Sequence, residues 1–251
     1  IAKSFFEKVF YKINYYKTRE LERHILEKSN FCIVLTDEDG RRIKSLSSCP
    51  SVYTIPPIFI SSSRFLENTI ENQTLLLVGS FVWRPKQANA LWLANKVFPK
   101  VLEKFPQARL KIVGSGANKL TKNITSDNVF IYSDVKDVKE FYYSRPIFII
   151  PERQGGGLKL KTLESASFGL PIVSTKEGIE GTGLRDNESC MEANNLNEML
   201  DKISLLFNDI NLCNKISNKA NLIIQENFNQ KVINDKIYSL LNTVSKKENN
   251  Y

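Results

Sequence analysis

One stretch, residues 148–175 with the sequence FIIPERQGGGLKLKTLESASFGLPIVST, constrains the fold more than any other. The apolar run at 147–150 predicts a buried parallel strand, which a proline ends. Glycines at 155–157 then lead into an amphipathic helix, whose packing face recurs at helical spacing through Leu160, Leu163, Ala166 and Ser167. Gly169 and Pro171 end the helix, and a second apolar strand follows. Strand, glycine loop, helix and strand in this order predict a right-handed crossover in a doubly wound, Rossmann-like α/β sheet.

The glycine loop and the helix after it predict a nucleotide site. A helix entered through glycines has unpaired backbone N–H groups at its start, and a phosphate can approach them closely because no Cβ atom intervenes. Lys159 and Lys161 add positive charge at the same place. Glu164, further along the helix, is a carboxylate that can accept hydrogen bonds from two neighbouring hydroxyls, such as those of a ribose.

The run GGGLKLKTLESASFGLPIVST resembles, almost position for position, the signature GG-x-(R/K)-x-K-x-x-E-A-x-(A/S)-x-G-x-P-(I/V)-V-(S/T)-T. That signature marks the C-terminal domain of the group 1 glycosyltransferases, the large retaining family 4 with the GT-B fold. The resemblance extends over about 75–241 and more weakly back to Thr18. Gly156 stands where the family often has a glutamate that contacts the donor sugar, so the identity of that sugar stays open.

The resemblance implies an enzyme that transfers a sugar from a nucleoside diphosphate donor to a hydroxyl, with retention, in building a cell-surface polysaccharide. Glu164 would hold the ribose, and the diphosphate would lie on the amides of Gly156, Gly157 and Leu158 with Lys159 and Lys161. These two lysines and Glu164 are therefore the catalytic candidates, since stabilising the charge on the leaving phosphate is the main catalytic effect. The donor is a substrate, and neither a cofactor nor a metal is expected. The acceptor would be a glycan or a lipid-linked sugar.

Four polar loops follow predicted strands, after Val78, Val113, Tyr132 and Ile150, and should meet at one edge of the sheet. Besides the glycines at 155–157, the binding candidates in these loops are Gly79, Ser80, Arg84, Lys86, Gly114, Ser115, Gly116, Tyr132, Ser133, Val135 and Asp137. Glu180, in a later glycine-rich turn, is a further candidate.

Several of these candidates have equally good structural explanations. Arg84 and Lys86 are as compatible with solvated surface positions, and Trp83 beside them is expected to pack. Asp137 could cap the short helix predicted after it. Glu180 could face water from its turn.

The front of the chain resembles the end of the family's N-terminal domain, through SNFCIVLTDED and the strands and helix predicted around it. We predict a remnant of the acceptor-side domain at 1–60, a linker at 61–74, the nucleotide-sugar domain at 75–244 and a disordered tail at 245–251. The family's N-terminal domain is much longer than residues 1–60. One alternative is therefore a nucleotide-sugar-binding module or subunit that needs a partner and by itself would transfer nothing. A nucleotide-sugar epimerase of the same fold is another.

The composition excludes several other classes. His24 is the only histidine, so neither a Ser-His-Asp triad nor a histidine metal cluster can form. The four cysteines have neither metal nor redox spacing and are expected to be free thiols. The acidic run 37–39 matches a metal motif only as a bare pattern, because a helix start capped by Thr36 favours carboxylates anyway.

The formal net charge of +8 comes from scattered lysines without a nucleic-acid-binding motif, so no nucleic acid partner is expected. The chain shows neither an apolar run of transmembrane length nor a signal peptide, and we expect a cytoplasmic location, with the inner face of the membrane as an alternative. The predicted helix at 5–28 mixes aromatic residues with lysines. It could lie on a membrane interface or pack on the rest of an incomplete domain.

Overall fold

The computed structural model describes residues 5–46, 51–61 and 70–248, and the chain divides into two units. The smaller unit comprises 1–57 together with 235–251. Its elements are α1 (Phe5–Glu27), β1 (Cys32–Val34), α2 (Asp37–Leu46) and β2 (Val52–Thr54), and β1 pairs with β2 in parallel. Thr36 caps α2 as predicted, since its hydroxyl accepts a hydrogen bond from the Asp39 amide at 3.0 Å.

The larger unit, 58–234, is built on a six-stranded parallel sheet. In chain order its elements are β3 (Thr74–Val78), α3 (Arg84–Trp92), α4 (Phe98–Lys104), β4 (Arg109–Gly114), β5 (Val129–Ser133), β6 (Ile147–Ile150), α5 (Leu160–Ser167), β7 (Ile172–Ser174), α6 (Lys176–Ile179), β8 (Met191–Glu192), α7 (Leu196–Asn208), α8 (Ile210–Asn227) and the start of α9 (Gln230–Glu248). The strand order is β5-β4-β3-β6-β7-β8. The predicted Rossmann-like α/β class is confirmed.

Alternation along the strands places one apolar core on each face of the sheet. Leu75 and Leu77 of β3 lie in a core with side chains of α3, α4 and α7. Leu76 and Val78, the intervening residues, lie in a second core with side chains of α5 and α8. Because helices cover both faces, the central strands are apolar at every position, which is the pattern seen at 147–150.

The helix after the glycine loop, α5, covers the predicted residues, but one of its expected packing residues is exposed. Gly169 ends it with φ of 62°, as expected of a left-handed helix stop. Leu160, however, was expected on the buried face and is 50% exposed. It lies in the first turn, which borders the cavity described below, so the face that packs on the sheet begins only at Thr162 and Leu163.

The single long helix predicted after Trp83 is interrupted. A π-helical turn, Leu93–Val97, separates α3 from α4. Pro99 in the first turn of α4 has no N–H for the hydrogen bond that a continuous α-helix needs there, and the wider turn accommodates it. The packing expected of Trp83 is wrong, because its side chain is 69% exposed while the nearby Phe81 fills the core instead.

The boundary predictions fall partly outside the described residues. Most of the predicted linker at 61–74 coincides with 62–69, which are not described, and Thr74 already belongs to β3. The tail predicted as disordered at 245–251 is helical through residue 248, since the Ser-Lys-Lys-Glu sequence there suits a helix and α9 continues through it. Residues 249–251 lie outside the described part.

The first helix, α1, has the aromatic and basic composition that the sequence shows, and among its described residues only Leu26 is buried. Phe5, Phe6 and Phe10 are exposed. Within the described residues, no helix combines the length and the apolar character that crossing a bilayer requires.

We expect Gly114→Ala to destabilise the larger unit by about 2–4 kcal/mol, because a methyl group there is sterically blocked and the backbone is strained. A Cβ at Gly114 would lie 1.9 Å from the carbonyl oxygen of Gly79, and φ is +142°. Urea denaturation would measure the loss. The matched control is Gly79→Ala, whose Cβ meets only the Phe81 ring at 3.5 Å. Equal stability of the two variants would contradict the expectation.

We also expect Cys190 and Cys213 to resist thiol reagents in the native protein. Burial, reinforced for each by a nearby carboxylate, raises the pKa of both thiols to about 12. At pH 8 only about one thiol in ten thousand would then be the reactive thiolate. A variant with Cys32 and Cys49 replaced by serine should show no rapid labelling until denaturant unfolds it. Rapid labelling of the folded variant would show that these side chains are accessible.

Candidate functional site

The candidate site lies at the carboxyl ends of β3 and β6. These neighbouring strands mark the point where the strand order reverses, because the chain runs outward from β3 to β5 and then returns to place β6 on the other side of β3. Ligands of open α/β sheets bind at such a point. A cavity of about 170 Å³ opens here, lined by residues of both strands and by five polar residues: Lys86, Glu152, Lys159, Lys161 and Thr162.

The glycine loop is held from inside by one lysine. The ammonium group of Lys159 donates to the carbonyl oxygens of Gly155, Gly156 and Gly157 at 3.0, 3.2 and 3.0 Å. Gly155 and Gly157 have φ of 103° and 81°, which glycine adopts without strain. In a trans peptide the N–H points away from the preceding C=O. The amides of Gly156, Gly157 and Leu158 therefore point away from the ammonium group.

These three amides make no hydrogen bond to any of the described residues. Successive unpaired N–H groups in a loop with positive φ form an anion-binding concavity. The first turn of α5 follows directly, with Lys159 as its N-terminal flanking residue, so the positive end of the helix dipole adds to the same field. The arrangement suits a phosphate group.

Burial also affects Lys159 itself. Partial desolvation lowers the pKa of its ammonium group, and the carboxylates of Glu152, Glu180 and Glu177 partly oppose that effect by stabilising the charge. Glu180, one of the sequence candidates, therefore lies within electrostatic reach of the loop rather than simply facing water. Lys86 repels the same ammonium group. The site thus combines clustered cations with several carboxylates.

Glu152 is a functional candidate that the sequence reasoning missed. It is 8% exposed, forms an ion pair with Lys86 and accepts a hydrogen bond from the Asn89 amide at 3.2 Å. Its backbone carbonyl accepts from the Thr175 hydroxyl. The sequence signal that could have identified Glu152 is its place as a charged residue directly after a buried strand and Pro151. Because α3 and the end of β6 both hold this pair, Lys86 is kept at the cavity and not on open surface.

Glu164 lies in the second turn of α5 and forms an ion pair with Lys161. Its side chain is one-fifth exposed. Burial raises the pKa of the Tyr142 hydroxyl most, and the negative charge of Glu164 raises it further. The carboxylate thus lies at the boundary between the second core and solvent, where it can reach a ligand.

The loops after β3, β4 and β5 are connected to one another. The Ser115 hydroxyl donates a hydrogen bond to the Ser80 hydroxyl at 2.9 Å, and the Ser115 carbonyl accepts one from the Phe81 amide at 2.7 Å. Asp134 accepts from the Gly116 amide at 3.3 Å. Gly79 and Gly114, both sequence candidates, are in direct contact across the first two loops. The predicted convergence of strand-end loops is therefore present in the structure.

The remaining candidates lie farther along that edge. The Tyr132 ring packs on Phe141 with centroids 4.8 Å apart and stays partly exposed, and Val135 packs partly against the second core. Asp137 caps the short helical turn Val138–Phe141 by accepting from the Lys139 amide at 2.9 Å. Arg84 is exposed at the first residue of α3 and does not line the cavity.

The acidic run 37–39 has structural partners. Besides the Thr36 and Asp39 contacts, Asp37 accepts from the Thr54 hydroxyl at 2.6 Å. Glu38 pairs with Arg41 and Arg42 on the next turn of α2. In the described ranges, no three histidine, cysteine or acidic side chains form a group suited to a metal ion.

Comparison with known proteins identifies the family. A family model for group 1 glycosyl transferases matches residues 72–209. An uncharacterized glycosyltransferase of Haemophilus influenzae is 32% identical over 178 residues, which are 66% of this chain and 48% of that protein. An uncharacterized 44.6 kDa protein in the cps region of Klebsiella pneumoniae is 27% identical over 178 residues, 67% of this chain and 46% of its own length.

Among solved structures, the pneumococcal O-GlcNAc transferase GtfA in complex with UDP and GlcNAc superposes with a TM-score of 0.71 at 17% identity. The match covers 92% of this chain and 48% of that one, and supports the fold. The chain spans about half the length of the curated relatives that it matches. The family match covers more than half of the chain and includes the glycine loop, α5 and the strands that flank them. The chain therefore belongs to the group 1 glycosyltransferases.

Proposed function

We propose that the larger unit binds a nucleoside diphosphate sugar and that the protein transfers the sugar to a hydroxyl acceptor. The observation that carries the proposal is the set of unpaired amides of Gly156, Gly157 and Leu158, turned outward by the Lys159 contacts beside the cavity. Such amides bind an anion without needing a counter-charge of their own. The group 1 family supplies the reaction class.

The proposed donor pose follows the layout of the site. The diphosphate lies on the loop amides, with Lys86 and Lys161 beside it and the charge of Lys159 behind the loop. The cavity of about 170 Å³ is smaller than the ~300–1,000 Å³ typical of complete ligand sites, so it takes only part of the donor. Glu164 accepts from the ribose hydroxyls, and the base lies toward Tyr132 and Val135. The superposed GtfA structure contains UDP, which supports a nucleotide of this class.

The proposed catalysis is stabilisation of the leaving diphosphate. As the bond between the sugar carbon and the phosphate oxygen breaks, negative charge grows on that oxygen. Fixed N–H groups and lysines act most strongly where charge develops, because they need little reorganisation. We propose transfer with retention and without a metal ion. Lys86 and Lys161 each face a carboxylate in this structure, Glu152 and Glu164, and would exchange it for phosphate as the donor binds.

We further propose a role in cell-surface polysaccharide synthesis, with a glycan or lipid-linked acceptor, in the cytoplasm or at the inner face of the membrane. The relative encoded in a cps region supports the polysaccharide role. The exposed aromatic residues of α1, interleaved with lysines, support a peripheral membrane contact. A nucleotide-sugar-binding subunit that acts with a partner is the second candidate, since the chain matches only about half of its relatives' length.

Calorimetric titration with UDP, GDP and ADP tests the donor site. We expect one of these nucleotides to bind, and Glu164→Ala to weaken that binding by about 1–3 kcal/mol, the range for buried hydrogen bonds left unmade. Glu226→Ala, which removes an exposed carboxylate of α8, is the matched control and should bind like the wild type. Failure of all three nucleotides to bind would refute the proposed site, and assay of sugar transfer would separate the enzyme from the binding subunit.

Lys159→Ala should remove most of the preference for a nucleoside diphosphate over the corresponding monophosphate. The ammonium group both orients the loop amides and supplies charge, so we expect the diphosphate to bind about 10–100-fold more weakly. The monophosphate should lose much less. Lys104→Ala, at the exposed end of α4, is the control. An equal loss for both ligands would indicate general damage to the site and would count against a diphosphate role for Lys159.

A further inference from the structure

The hydroxyl of Tyr142 is buried without a hydrogen-bond partner. Its side chain is 0% exposed, and among the described residues its oxygen is the one buried side-chain nitrogen or oxygen that makes no hydrogen bond. The rings of Phe148 and Phe168 pack edge-on against it, with centroids 5.9 and 4.9 Å away. A buried hydroxyl left unpaired costs about 1–3 kcal/mol. Phenylalanine would fill the same space without that cost, so the hydroxyl calls for an explanation.

Glu164 is the acceptor that the position of this hydroxyl indicates. Burial raises the pKa of Tyr142 most, followed by the charge of Glu164, then by a hydrogen bond between these two side chains, and last by the charge of Asp137. The hydroxyl therefore keeps its proton and can act only by donating or accepting a hydrogen bond. The hydrogen bond to Glu164 is poorly formed, since the hydroxyl has no partner at full hydrogen-bonding geometry. The Asp137 carboxylate is already used to cap the turn before Tyr142. The Glu164 carboxylate is held by Lys161 on the solvent side.

We propose that Tyr142 is a positioning residue for the ribose of the donor. On binding of the nucleotide, Lys161 moves from Glu164 to the diphosphate, and one carboxylate oxygen of Glu164 turns to accept the Tyr142 hydroxyl. The other oxygen is then oriented toward the two ribose hydroxyls. This inference rests on the proposed function, because it requires Glu164 to bind the ribose, and it extends that function to a residue in the core.

The location of Tyr142 in the chain supports this role. It directly follows the turn Val138–Phe141. The loop that we propose to bind the base leads into this turn. A residue that follows this loop and contacts Glu164, the carboxylate proposed to bind the ribose, would fix the spacing between the base and ribose subsites. The hydroxyl makes no well-formed hydrogen bond in this structure and therefore stabilises it little. Its removal should therefore leave the ligand-free protein at least as stable while weakening nucleotide binding, which is a trade of stability for function.

The test compares Tyr142→Phe with wild type, using the nucleoside diphosphate that binds best and its 2′,3′-dideoxy analogue. We expect Tyr142→Phe to bind the ribonucleotide about 5–10-fold more weakly, as for loss of one hydrogen bond, and to bind the dideoxy analogue unchanged. The thermal unfolding midpoint should stay equal or rise. Tyr143→Phe, the same change at the adjacent and partly exposed tyrosine, should alter neither affinity.

Three other outcomes would overturn the inference in distinguishable ways. If Glu164→Ala weakens binding of the ribonucleotide but Tyr142→Phe does not, the proposed donor site stands and the positioning role is wrong. If Tyr142→Phe weakens both ligands equally and lowers the unfolding midpoint, the tyrosine is only structural. If wild type binds no nucleoside diphosphate, or Glu164→Ala has no effect, the proposed function itself fails and the role of Tyr142 fails with it.

Discussion

The three hydrogen bonds from the Lys159 ammonium group to the glycine-loop carbonyls are the interaction on which the candidate site depends. They order a loop that has little side-chain packing of its own, and they do so by using its carbonyls. The amides of Gly156, Gly157 and Leu158 are then left facing the other way. One lysine inside the loop thus creates an anion-binding surface outside it, at the positive end of α5.

The lysines around this loop are balanced by carboxylates. Lys86 pairs with the buried Glu152, and Lys161 pairs with Glu164. Burial, and to a smaller degree repulsion by Lys86, lowers the pKa of Lys159, so positive charge in this site needs the carboxylates to stabilise it. In our proposal the carboxylates hold the cations in place until phosphate replaces them, and the released Glu164 becomes the acceptor for the ribose. The unpaired Tyr142 hydroxyl beside it fits the same exchange.

The fold was largely predictable because its signals are local. The apolar run at 147–150, the glycines, and the stop at Gly169 define a crossover unit from neighbouring residues alone. The predictions of burial are wrong where the local sequence pattern conflicts with the place of the residue in the folded structure. Leu160 has helical spacing but borders the cavity, and Trp83 is apolar but lies outside the core that Phe81 fills. The interruption of the helix before Pro99 follows from a missing N–H that periodicity does not register.

The sequence by itself determined the parallel α/β architecture, the glycine loop and the residues that chemistry would place around a phosphate, since periodicity and residue type act over a few neighbours. Only the tertiary structure decided how those residues are paired. Glu152 meets Lys86 across 66 positions, and Tyr142 comes within electrostatic reach of Glu164 from a core built from several strands and helices. Such contacts depend on how packed elements orient each side chain, and that orientation is a property of the assembled core rather than of any short stretch of sequence.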